Sequence, residues 1–117
     1  MKFKESETVE LKLIVTDVIK KEIVAFANSE GGTIYIGVSD DGEVVGIEDS
    51  DKSGLQVSNM VHDNIKPDLS MFVSYRTLNF DGKEVLSIDV ERGTNRPYYL
   101  ANKGLRPEGV YIRHGFS

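Results

Sequence analysis

Apolar and polar positions alternate over residues 8–14, which read Thr-Val-Glu-Leu-Lys-Leu-Ile. In an extended chain Val9, Leu11 and Leu13 fall on one face and Glu10 and Lys12 on the other, the signature of a half-buried strand. The period then lengthens: Val15, Val18, Ile19, Ile23, Phe26 and Ala27 mark one side of a helix, with Thr16-Asp17 as its N-cap and anionic first turn. Asn28-Ser29-Glu30-Gly31-Gly32 stops it, because Asn28 suits a turn and the glycines supply the positive φ of a reversal. Residues 33–39 form the next strand, with Tyr35 facing away from Ile34 and Ile36. Gly37 inside it implies a bulge or a close backbone approach. Across the tight Asp40-Asp41-Gly42 turn, residues 43–47 read as a shorter strand. A second helix is expected over residues 53–64, with Leu55, Val57, Met60, Val61 and Ile65 apolar, ending near Lys66 because Pro67 disfavours helical geometry before it. Residues 71–79 and 84–90 alternate around Asp81-Gly82, a second hairpin. Beyond Arg96-Pro97-Tyr98-Tyr99-Leu100 and a loop, residues 109–113 read as a closing strand.

Hairpins separated by helices predict an α+β fold, a mixed β-sheet built from hairpins with two packing helices. Leu11, Ile19, Ile23, Phe26, Ile36 and Val38 are the expected core. The 117 residues suit a single domain, 1–117, and are enough to bury a core without staples. With no cysteine in the chain, disulfides, thiolate metal sites and a thiol nucleophile are excluded. No apolar run reaches membrane-spanning length, and the opening residues lack the apolar core of a signal peptide, so a cytoplasmic location without membrane contact is expected.

Charge changes the picture. The net charge of −5 is unusual for a nucleic-acid binder, yet Arg92, Arg96, Lys103, Arg106 and Arg113 face only Glu108 in the last stretch, making it +4 and leaving −9 on residues 1–91. Arg96, Lys103, Arg106 and Arg113 could pair with phosphates, and Tyr98 and Tyr99, with Tyr111 nearby, could stack on bases. The competing expectation is that the arginines are merely solvated and the tyrosines belong to the sheet. Other chemistry finds no support. Gly31-Gly32 lacks the strand–glycine–helix order of a phosphate cradle, His62 and His114 lack metal-ligand spacing, and no serine has a hydrolase context.

Taken in order, several blocks carry a resemblance: Glu5-Ser6-Glu7-Thr8-Val9-Glu10-Leu11-Lys12, the run from Ala25-Phe26-Ala27-Asn28 through Gly31-Gly32-Thr33-Ile34-Tyr35-Ile36-Gly37-Val38, then Val45-Gly46-Ile47, Ile65-Lys66-Pro67 and Gly109-Val110-Tyr111-Ile112-Arg113-His114-Gly115. Together they resemble the Schlafen AlbA-like domain across essentially the whole chain. Leu11 is a departure, standing where that family more often has phenylalanine. The resemblance implies a nucleic-acid-binding, DNA-binding module of a transcriptional regulator, with DNA or RNA as partner. It also implies an N-terminal domain excised from a longer protein with a downstream domain, and is compatible with a homo-oligomer. No cofactor is implied by that role. One alternative is a nucleotide- or protein-interaction domain. Another follows from RNA-cleaving Schlafen proteins, whose two glutamates and aspartate match Glu5, Glu10 and Asp40 by motif position, with Lys12 beside Glu10. That would be a metal-dependent ribonuclease using Mg²⁺ or Mn²⁺. Glu5 and Glu10 are an odd number of residues apart, so the chain has to bend between them for such a site to exist.

Overall fold

The computed structural model describes residues 3–114. Four strands, β1 (Val9–Lys12), β2 (Gly32–Ile36), β4 (Val73–Phe80) and β5 (Lys83–Val90), form one sheet in the order β1-β2-β5-β4. β1 and β2 run parallel because helix α1 (Ile19–Ala27) crosses between them; the other pairings are antiparallel. Helix α2 (Ser50–Asn64) leads into β3 (Ile65–Lys66), which pairs with β6 (Tyr99–Leu100) in a separate two-stranded ribbon. The α+β class and the mixed sheet with two helices are as expected. Among the described residues no helix is long and apolar enough to cross a membrane.

The β4–β5 hairpin shows how local chemistry sets register. Asp81 and Gly82 both have positive φ, 53° and 85°, the combination that matches the twist of a two-residue hairpin. Asn79 Oδ1 accepts from Gly82 N at 2.9 Å and braces the turn. Gly31 behaves similarly at the end of α1: its φ is 80°, its N–H reaches Phe26 O at 2.9 Å, and a Cβ there would collide with the Val90 carbonyl.

Several local expectations are corrected. β1 ends at Lys12, and Leu13 and Ile14 are 51% and 64% exposed in the loop that follows. Helix α1 starts later than its apolar pattern, with Val18 as an N-cap that makes no side-chain bond in place of Thr16-Asp17. Asn28 keeps helical φ, and only Gly31 of the glycine pair has positive φ. Residues 43–47 make no ladder. The Asp40-Asp41-Gly42 turn closes (Ser39 N to Glu43 O, 2.9 Å), but beyond it only isolated bridges form, Val38 to Val44 and Ile47 to Glu84. Gly37 supplies the reason: its φ is 106° and its carbonyl accepts from both Val45 and Gly46 at 2.8 Å, a close approach that takes the chain out of strand geometry. Helix α2 starts at Ser50, earlier than expected, because Asp49 caps it (Oδ1 from Lys52 N, 3.0 Å). On it Leu55, expected to be apolar-facing and buried, is 63% exposed. Residues 109–113 form no strand, and Gly115 lies outside the described residues.

All six expected core residues are buried, on two sides of the sheet. The helices cover one face, where Ile19, Ile23 and Phe26 meet Ile34, Ile36, Ile88, Val57 and Val61. The other face carries a smaller cluster of Leu11, Val38 and Val85, with Phe3, Tyr35 and Phe80 around it. Register decides which side of β1 is which. Glu10 lies opposite Ile34 and Lys12 opposite Ile36, so the polar face of β1 is the one turned toward helix α1.

Candidate functional site

Two groups of polar residues stand out, one at the opening turn and one at the closing segment. In the first, the chain reverses over residues 6–9 (Ser6 N to Val9 O, 3.0 Å), which supplies the bend needed between Glu5 and Glu10. Glu5 is folded back along the free edge of β1 and its Oε2 accepts from Leu11 N at 3.3 Å. Burial pushes the Glu5 carboxyl above the usual carboxylate range. A hydrogen bond with Glu10 and the charges of Glu10 and Asp40 add to this, while the Leu11 N–H opposes it. The three acids therefore share one electrostatic neighbourhood, with Asp40 at its exposed rim.

Glu10 is already matched by cations. Its Oε1 accepts from Arg113 Nη1 at 2.7 Å, and its Oε2 lies 3.6 Å from Lys12 Nζ. Glu22 of α1 joins both cations, 3.2 Å from Lys12 and 3.5 Å from Arg113, giving a balanced four-charge network. Among the described residues no three His, Asp or Glu groups are placed to hold a metal ion. With both Glu10 oxygens engaged, the donor set as arranged does not suit Mg²⁺ or Mn²⁺.

Arg113 was expected on a cationic surface; it is 7% exposed. Its Nη2 donates to Ser6 O (2.7 Å) and Val9 O (3.2 Å), its Nε to Glu7 O (3.2 Å), and its guanidinium lies 4.9 Å from the centre of the Phe26 ring. It ties the closing segment to the opening turn and is no part of a surface patch with Arg96, Lys103 and Arg106. Tyr98, expected to stack on bases, is fully buried, with its hydroxyl accepting from Asn95 N at 3.0 Å. Tyr99 is half-buried in β6.

Of the four cations expected to form the patch, Arg96, Lys103 and Arg106 are exposed. Arg96 folds onto its own loop through Nε to Gly93 O, 2.9 Å. Lys103 and Arg106 ride on a compact loop closed by Leu100 N to Gly109 O and Gly109 N to Arg106 O, both 2.9 Å. Among the described residues neither has a carboxylate partner, in contrast to Arg92, 3.6 Å from Glu30. The loop is tied to α1 through Tyr111, whose hydroxyl donates to Glu108 O (3.1 Å) while Lys21 Nζ lies 5.8 Å from its ring centre.

Sequence reasoning missed three contributors. Asn28, assigned only to a turn, donates through Nδ2 to Tyr98 O and Tyr111 O, both 2.9 Å, and accepts from Tyr98 N at 2.7 Å. Glu22 drew no assignment from the sequence, and Lys21 lay outside the cationic stretch. Their partners are 70 or more residues away in the Asn28 case, so no local pattern announced them.

A mixed sheet with two helices on one face, and a charge network that joins the opening turn to the closing segment through Glu10 and Arg113, define an α+β domain. The chain belongs to the Schlafen AlbA_2 domain family, whose model matches residues 5–117. It is similar to the N-terminal domain of a Nitrosomonas europaea protein named for its relation to the ATP-dependent DNA helicase RecG. The identity is 25% and the TM-score 0.70, over 93% of this chain and 79% of that one. The DIP2311 protein of Corynebacterium diphtheriae shares the fold at 18% identity and a TM-score of 0.59, over 82% of this chain and 20% of that one. No curated protein matches the chain.

Proposed function

We propose that this domain binds nucleic acid, DNA or RNA, as the targeting module of a regulatory protein, through the loop that carries Lys103 and Arg106. The observation carrying this is that both cations stand exposed with no carboxylate partner among the described residues, in a chain of net charge −5. Unpaired surface cations lower the cost of approaching phosphates and release counterions on contact. Lys21, 5.8 Å from the ring centre of Tyr111, supplies a third cation beside the loop. The name of the RecG-related neighbour and the family's link with nucleic acids support the same direction.

Fluorescence anisotropy with a labelled single-stranded oligonucleotide tests it. With three phosphate contacts, log affinity should fall with log salt at a slope of about −2, so binding weakens roughly 20-fold between 50 and 200 mM. Replacing Lys103 and Arg106 together by alanine should flatten that slope to below about −1. Unchanged affinity and slope in the double variant would exclude this loop as the contact.

A second function, a Mg²⁺- or Mn²⁺-dependent nuclease at Glu5, Glu10 and Asp40, draws on one observation, the common electrostatic neighbourhood of the three acids. It requires Glu10 to be released from Arg113 and Lys12. Asp40 is exposed, so Asp40→Asn leaves the fold intact. A Mn²⁺-induced rise in thermal stability that disappears in Asp40→Asn would favour this function; no Mn²⁺ response in the parent protein would remove it.

A further inference from the structure

Among the described residues the sheet ends at β4, which pairs with β5 along its whole length and with no other strand. The two-residue turn makes Phe80 and Lys83 the closing hydrogen-bonded pair, and Glu91 N donating to Phe72 O at 2.8 Å shows the same parity at the far end. Even-numbered residues therefore bond to β5, and Tyr75, Thr77 and Asn79 turn their N–H and C=O groups outward. Among the described residues none of these six groups has a hydrogen-bond partner. Exposed edges are normally blunted by proline, bulges, shortness or charge. β4 has eight residues in unbroken register and no proline, and its one charged side chain, Arg76, is drawn onto Asp89 of β5 (Nε to Oδ2, 3.0 Å).

A second feature lies beside this edge. Between α2 and β4 is a notch of about 320 Å³, walled by Leu55, Ser58, Tyr75 and Thr77 and floored by Leu86. Gly54 leaves it open, since a Cβ there would meet only Leu86 Cδ1 at 3.7 Å, and the exposed Leu55 gives it an apolar rim. The outward-bonding residues of β4 carry their side chains on this same side. A strand added to the edge would therefore drop alternate side chains toward the notch. Asp51 lines it too, and the Arg76 guanidinium is engaged with Asp89.

We infer that β4 and the adjoining notch form a docking site for an extended peptide of a partner protein, bound by β-strand addition. Its apolar side chain seats over Gly54 between Leu55 and Tyr75, and a lysine or arginine on the same face pairs with Asp51. Charge complementarity selects this occupant over a second copy of the chain. A second β4 would add through its own outward-bonding residues, Tyr75, Thr77 and Asn79, so it would turn these and not Arg76 toward the notch and offer no cation to Asp51. The site uses none of the cations proposed to contact nucleic acid.

The test uses a capped octapeptide alternating lysine with leucine, and the same peptide N-methylated at every backbone nitrogen that would face the edge. Calorimetric titration should show binding of the first, with amide NMR shifts concentrated at Tyr75, Thr77 and Asn79, and loss of binding for the second. Thr77→Pro removes an N–H that the β4–β5 ladder does not use, and Gly54→Lys fills the notch with ordinary contacts, so both variants fold. Each should weaken the peptide by about tenfold or more while leaving oligonucleotide binding unchanged. The proposal is overturned by equal binding of both peptides, by unchanged affinity in both variants, or by no binding at all. It is equally overturned if sedimentation shows the parent protein dimerising through an edge that Thr77→Pro blocks.

Discussion

Arg113 and Glu10 are 103 residues apart, and every guanidinium nitrogen of Arg113 is committed to the opening turn or the charge network. Arg113→Met would leave Glu10 and Glu22 facing each other with Lys12 alone between them, and should cost about 3–5 kcal/mol in denaturant unfolding. Arg113→Lys should recover little of that, because one ammonium cannot reach acceptors lying in three directions. Glu5 gives a prediction of opposite sign. Its folded-state pKa is raised, so its contribution to stability is fully present below the unfolded carboxyl pKa and is lost as pH rises through the folded value. Glu5→Gln keeps an acceptor for Leu11 N and removes the partly buried charge. It should match or exceed the parent in thermal stability at pH 7, and the advantage should vanish below about pH 4. A variant that is less stable at pH 7 than at pH 4, relative to the parent, would show that the Glu5 charge is favourable.

At the scale of elements, α1 does more than fill the core. Its C-cap residue, Asn28, holds both residue 98 and residue 111 through three hydrogen bonds, so the end of one helix positions the whole closing segment. Asn28→Ala should cost about 2–4 kcal/mol, and amide exchange at Tyr98 should accelerate more than at Ile34 in β2. Tyr75 on β4 has its hydroxyl pushed up to about 12 by burial, against a hydrogen bond with Ser58. Its contribution is intact below about pH 10 and is lost as pH climbs through the folded value, so Tyr75→Phe should resist alkaline unfolding better than the parent. Parity shows what periodicity alone leaves open at β1. Alternation named its two faces correctly but could not say which one the helix covers, and the covered face proved to be the charged one.

For the whole molecule, the radius of gyration of 13.5 Å equals what a compact chain of this length should have, about 13 Å. The last described residues are part of that compactness: Tyr98 and Leu100 sit in the main core and Arg113 closes the network. Removing residues 98–117 should abolish the cooperative thermal transition seen by circular dichroism, whereas a retained transition would show the closing segment to be an appendage.

Local patterning was enough to determine the two helices, the β4–β5 hairpin, the six core positions and, through its ordered motifs, the family. Each depends on spacing within a few residues or on turn chemistry at Asp81-Gly82 and Gly31. The total charge of the closing stretch was legible as well, but its division was not. Arg113 and Arg106 are seven positions apart on the same stretch; one is buried against Glu10 and the other stands exposed on a loop. That difference arises because the partners of Arg113 come from the far end of the chain, brought there by parallel pairing of β1 with β2 and by the Asn28 clamp. Only tertiary structure assigns a charge its neighbours, because Coulomb and desolvation energies depend on distance and burial rather than on order along the chain.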